Sequence, residues 1–127
     1  EIPSITNFFM LFSDLKNKSV NKNLIKSLKK YCKNENYLFP SINSRHKSFE
    51  EKRYWRGPVW INCNWIIYQG LKNKDKSFAE MIRKKTINLV EKKKFREYYS
   101  CKSGLGMGAK NFSWSAALYL DFVLNRS

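Results

Sequence analysis

An all-α fold is predicted by three observations. Apolar residues recur at three-to-four spacing through most of the chain, capping and breaking residues fall between those periodic segments, and no strand longer than a local pairing can be read. A chain of 127 residues has room for one domain, which buries about two-thirds of the surface that its unfolded form exposes. The sequence opens on Glu1 without an initiator methionine, and the chain is read as a single partial domain, the tail of something longer.

The elements follow in order. A short helix is expected over residues 5–15. Val20, Leu24, Ile25, Leu28, Tyr31 and Cys32 then share one helical face with lysines opposite, which predicts an amphipathic helix over 20–32. Pro40, Ser41, Asn43, Ser44 and Ser48 mark a loop over 34–53, because proline lacks the N–H that a continuous helix would need. Pro58 suits a first helical turn, and residues 59–71 are apolar almost all round, as in a buried helix, with Gly70 placed as its C-cap glycine. Ser77-Phe78-Ala79-Glu80 reads as a capping box that opens a helix reaching about residue 93, its other face rich in lysine. Between 95 and 111 the period fails, and Gly104, Gly106 and Gly108 at alternate positions predict an ordered loop. Ser113 is placed as the cap of a last helix over 114–124, whose Ala116-Ala117 step allows close packing.

The 25 lysines and arginines against 10 acids give a formal charge of +15, which raises the question of a nucleic-acid partner. The cations are mostly lysines spread through helical segments, and Lys92-Lys93-Lys94 ends a helix, where positive charge complements the dipole. They are therefore read as solvated faces, with no nucleic acid expected. Asn7 and Asp14 bracket the Phe8-Phe12 run, and Asn62 and Asn64 interrupt the Trp60-Tyr68 run, so no membrane partner is expected either. Cys32, Cys63 and Cys101 form neither a disulfide framework nor a zinc pattern and read as reduced thiols, and His46 stands alone, so neither a metal site nor a cofactor is expected. Localisation is not written in the chain, with a cytoplasmic setting slightly favoured.

Two motifs carry the chemistry. Tyr54-Trp55-Arg56-Gly57-Pro58-Val59-Trp60 precedes the apolar helix, and Phe95-Arg96-Glu97-Tyr98-Tyr99 leads into the glycine loop and Phe112-Ser113-Trp114-Ser115-Ala116-Ala117. Aromatic planes stack on sugar rings, arginine grips hydroxyls, and Glu97 is a single carboxylate in aromatic surroundings, where a base for glycoside hydrolysis could sit. Read without further help, Glu97 is better explained by an exposed ion pair with Arg96 or a lysine. Trp60 and Trp114 divide evenly between core packing and a sugar platform, while Trp55 and Arg56 favour the pocket. Of Tyr98 and Tyr99, one is expected to face the core and the other the substrate, and Asn64 is read as a buried structural amide in preference to a sugar ligand. The glycine spacing lacks the pattern of a nucleotide fingerprint, so it is read as shaping a sugar pocket.

These blocks, with Phe39-Pro40-Ser41-Ile42, Phe49, Asn64 and Gly70-Leu71, resemble the C-terminal part of the catalytic domain of glycoside hydrolase family 63 and its mannosylglycerate hydrolase-like relatives. The resemblance covers most of the chain. It implies the C-terminal portion of an (α/α)6 barrel, an incomplete toroid of about five helices, in an enzyme that hydrolyses an α-glycosidic bond with inversion. Glu97 would be the general base, kept ionised by Arg56 or Arg96 nearby, and Tyr54, Trp55, Arg56, Trp60, Tyr98, Tyr99 and Trp114 would line the substrate site. The general acid would be an aspartate in a Gly-x-Asp-Asn-Ser-like segment, and Asp14, Asp75 and Asp121 have no such surroundings. The expected partners are a carbohydrate substrate, an α-glucoside or a mannosylglycerate- or glucosylglycerate-type solute, and the upstream part of the same catalytic domain, without which the chain should be inactive. The alternatives are a non-catalytic carbohydrate-binding remnant and a small basic nucleic-acid binder.

Overall fold

The computed structural model describes residues 2–13 and 16–124. A 3-10 helix, Ile5–Phe12, comes first, and Ser4 caps it by accepting from the Thr6 amide. Its buried residues, Ile5, Phe8 and Leu11, lie three apart, so the tighter three-residue turn puts them all on one face. The remainder of the helix expected over 5–15 falls partly outside the described residues. Helix α1, Lys18–Tyr31, starts two residues before its apolar face because the Asn17 side chain accepts from the Val20 amide at 3.1 Å.

Helix α2, Ile61–Leu71, is the centre of the fold and packs on the 3-10 helix, on α3 (Lys76–Lys93) and on α4 (Ser113–Leu124). It begins later than the sequence suggested. Pro58 is not in its first turn, because Val59 is extended and exchanges two backbone hydrogen bonds with Tyr99, at 2.7 and 2.9 Å. Gly70 is likewise not its C-cap, a position that Lys72 takes. An added Cβ at Gly70 would lie 2.6 Å from the Leu11 carbonyl carbon, so the glycine is there to let the 3-10 helix approach.

In α3 the cap is Asp75, which accepts from the Phe78 amide at 3.1 Å, and Ser77 lies inside the helix, so the expected capping box is displaced. Asp75 precedes the first helical residue directly and so wins the capping position. Phe78, Ala79, Ile82, Thr86, Leu89 and Val90 are buried, while Lys92 and Lys93 occupy the last turn. Ser113 is the first residue of α4, and the Ser115 hydroxyl donates to the Arg96 carbonyl at 2.6 Å.

The segment between α3 and α4 departs from an all-helical chain. Strands β1, Arg96–Tyr99, and β2, Gly106–Lys110, pair antiparallel in a small hairpin. Two glycines in β2 and the lack of clean alternation in β1 hide this pairing from a reading by propensity. The hairpin is fixed from outside, by Val59 against Tyr99 and by Ser115 against Arg96.

The loop between α1 and α2 is also ordered from the core. Asn64, fully buried on α2, donates to the Leu38 carbonyl at 2.7 Å and to Thr86 Oγ1 at 3.0 Å, and its Oδ1 accepts from the Phe39 amide at 2.9 Å. It is the structural amide that the sequence indicated. The three cysteines are free thiols, and burial pushes Cys63 and Cys101 up to about 12. Among the described residues no helix is long and apolar enough to cross a membrane, and no group of three or more His, Cys, Asp or Glu could hold a metal ion.

Candidate active site

The Tyr54–Trp60 block and the hairpin meet through the Val59–Tyr99 backbone pair, which brings residues some forty positions apart into one site. Tyr54, Trp55 and Arg56 form a short 3-10 turn ahead of α2, with Tyr54 at a φ of +26°, a conformation that side-chain-bearing residues rarely hold. From this turn an aromatic wall is built. Trp60 is its middle layer, parallel to Trp55 at 4.2 Å between centroids and stacked on Tyr98 at 5.0 Å. Tyr54 stands edge-on to both Trp60 and Tyr98, and the Trp60 indole N–H donates to the Tyr54 carbonyl at 3.2 Å.

Glu97 sits beside this wall. The register pairs Arg96 with Lys110 and Tyr98 with Met107, so Glu97 faces two residues, Gly108 and Ala109, across a β-bulge. The Ala109 amide donates to Glu97 Oε2 at 3.0 Å, and the Tyr54 hydroxyl donates to Oε1 across a longer 3.4 Å. Desolvation among the rings, and after it the charge of Glu97, hold the Tyr54 phenol above its ordinary value, so at neutral pH it remains a donor.

Glu97 has no ion-pair partner among the described residues. Arg56 pairs with Glu50 at 3.1 Å and donates to the Ser48 carbonyl, while Arg96 donates to the Gly108 carbonyl at 3.1 Å. The arginines expected to neutralise Glu97 are thus engaged elsewhere, and an amide and a phenol serve it instead. Other carboxylates have clear structural duties: Glu35 with Ser44, Glu51 with Ser100, Asp75 with Lys29, Glu80 with Arg83 and Asp121 with Trp65.

The remaining candidates separate. Tyr99 is fully buried, its hydroxyl donating to the Lys94 carbonyl and accepting from the Arg96 amide, so Tyr98 is the member of the pair that joins the wall. Trp60 is 2% exposed and Trp55 41%, so the outer plane belongs to Trp55. Trp114 is 54% exposed but stands apart from the stack, lining a cavity of about 380 Å³ with Asn62, Trp65, Ile66, Ala117 and Leu118. The role of Gly108 and Ala109 in holding Glu97 was not read from the sequence; the alternate glycines were its one visible signal.

Residues 2–115 match the family described as the mannosylglycerate hydrolase MGH1-like glycoside hydrolase domain. The chain belongs to that family. This glycoside hydrolase segment is 36% identical over 122 residues to a mannosylglycerate hydrolase of Thermus thermophilus, covering 94% of this chain and 29% of the relative. It is 33% identical to the mannosylglycerate hydrolase MGH1 of Selaginella moellendorffii, across 96% of this chain and 26% of that protein. A crystal structure of a GH63 mannosylglycerate hydrolase from Thermus thermophilus in complex with Tris superposes with a TM-score of 0.90 at 34% identity, over 98% of this chain and 30% of that one. A complex of a GH63 mannosylglycerate hydrolase from the same organism with glucose gives 0.87 at 34% identity, over 94% and 29%. The glycoside hydrolase segment therefore has the fold of part of a GH63 (α/α)6 enzyme and spans less than a third of the length of these relatives.

Proposed function

We propose that this chain is the base-bearing segment of an inverting α-glycosidase acting on mannosylglycerate, glucosylglycerate or a related α-glucoside. The observation that carries the reading is Glu97 itself, a carboxylate without an ion pair among the described residues, held by the Ala109 amide and the Tyr54 hydroxyl at the edge of an aromatic wall. The names of the relatives agree with it: mannosylglycerate hydrolases, and a glucosylglycerate hydrolase of Mycolicibacterium hassiacum that is 30% identical over 87 residues, 68% of this chain and 20% of that protein.

Inversion uses two carboxyl groups about 6.5–9.5 Å apart, one activating a water and the other protonating the leaving oxygen. Glu97 takes the first role: it removes a proton from water as the water oxygen attacks the anomeric carbon. Tyr54, Trp55, Trp60 and Tyr98 provide the adjoining aromatic surface, Trp55 offering its outer face to a sugar ring, while Arg56 shapes the turn that carries them. Tyr99 supports from the core, and Trp114 lines a cavity with Asn62 and Trp65 on α2. The acid is an aspartate of the upstream part of the same catalytic domain, which is also the partner that completes the site.

The test is Glu97→Gln in the complete polypeptide that carries this segment, assayed on mannosylglycerate and glucosylglycerate. Turnover is expected to fall by at least about 10²-fold with the fold intact. Near-normal turnover would sink the assignment, and sugar binding without any turnover in the unmodified polypeptide would favour a non-catalytic carbohydrate-binding role.

A further inference from the structure

We propose that Gly108 and the Ala109 amide form a positioning device for Glu97, one that commits Oε2 to the protein and leaves Oε1 for the reacting water. The proposal rests on the base role given to Glu97 above. The device begins with the bulge, which sets two residues of β2 opposite one residue of β1 and so turns the Ala109 amide away from the strand ladder toward the Glu97 side chain. Gly108 makes the turn at a φ of +67°, in the left-handed region that favours glycine.

Conformation is only half of the requirement. A Cβ at position 108 would lie 2.5 Å from Glu97 Oε2, 2.7 Å from Glu97 Cβ and 2.7 Å from a Tyr98 ring carbon. Any side chain there displaces the carboxylate and an aromatic ring of the wall together. The bulge is itself anchored, because Arg96 Nη2 donates to the Gly108 carbonyl at 3.1 Å and the Ser115 hydroxyl on α4 donates to the Arg96 carbonyl at 2.6 Å.

The two carboxylate oxygens are thereby made unequal. Oε2 has a 3.0 Å bond to a fixed backbone donor, whereas Oε1 meets the Tyr54 hydroxyl at 3.4 Å, on a ring that remains exposed. In the reaction the water proton passes to Oε1, the water oxygen forms its bond to the anomeric carbon, and the glycosidic C–O bond breaks as the departing oxygen takes the proton of the acid. Anchoring Oε2 keeps Oε1 in line for that transfer. A misplacement of about 1 Å can cost roughly 10²-fold in rate.

The experiment compares Gly108→Ala and Gly108→Asn in the complete polypeptide. Asparagine tolerates the left-handed backbone better than alanine, yet it still carries the Cβ that crowds Glu97. Both variants are expected to lower kcat by about 10²-fold, with a smaller rise in KM from the displaced Tyr98 ring. In a Glu97→Gln background, Gly108→Ala should cost far less than in the parent, since only the shift of the Tyr98 ring remains. Wild-type kcat in Gly108→Asn, or an equal loss from Gly108→Ala in both backgrounds, overturns the proposal. The Ala109 amide proton gives a readout independent of turnover: its resonance should move upfield in Glu97→Gln as the charged acceptor becomes neutral, and an unmoved resonance overturns the device. If Glu97→Gln alone keeps normal turnover, the base assignment fails, and that same resonance still decides whether the bulge holds the side chain.

Discussion

Trp55 and Trp60 lie face to face, with ring centroids 4.2 Å apart and planes 4° from parallel. One of them is nearly sealed and the other is open, so equal rings have unequal tasks. Trp60→Ala removes a buried aromatic between two neighbours and is expected to lower stability by about 3–5 kcal/mol. Trp55→Ala forfeits chiefly the stacking contact, roughly 0.5–1.5 kcal/mol, and should weaken sugar affinity more than it weakens the fold. Denaturant unfolding of the two variants measures the difference, and a larger loss for Trp55→Ala would contradict the layering.

Asn64 closes three hydrogen bonds without any exposed surface, two of them to the backbone of Leu38 and Phe39. Asn64→Leu leaves a carbonyl and an amide buried and unpaired, at about 1–3 kcal/mol each. A fall in the unfolding midpoint of several degrees or more is expected. A variant as stable as the parent would show that the loop finds other partners.

Asp75 supplies a prediction about acid. The hydrogen bond from the Lys29 ammonium, with the Phe78 amide adding to it, holds the carboxyl below the ordinary aspartate value of 3.8. A group whose folded value is depressed stabilises the fold fully above its unfolded value and loses that contribution as pH falls through the folded one. The Lys29 side chain is half exposed, so the ion pair is screened and adds little to stability beyond the capping bond to Phe78. Asp75→Ala should therefore lower stability by about 1 kcal/mol at neutral pH. Urea titrations should find that difference constant between about pH 5 and pH 7 and shrinking below about pH 4; a difference that grows in acid would refute the assignment.

The helices were legible because burial imposes a period on apolar residues: Leu28 and Tyr31 on α1, and Phe78, Ile82, Leu89 and Val90 on α3, answer to it directly. Their beginnings were less so. Pro58 and Ser77 each have the chemistry of a helix start, but Val59 is held extended by Tyr99, and Asp75 caps ahead of Ser77. Glu97 and the aromatic block stood out as residue types with a recognisable arrangement. What surrounds Glu97 did not, since a bulge is a relation between two strands and its donor is a backbone amide, which every residue except proline carries. That Trp114 makes its ring contact with Phe112 was equally hidden, because the packing of a helix start depends on which neighbours arrive there.

Val59 ties the aromatic block to the hairpin with two main-chain bonds, and the grip on Glu97 Oε2 is also a main-chain atom. Such joints are indifferent to most substitutions, so the outer faces of α1 and α3 can exchange one charged residue for another without the site registering it.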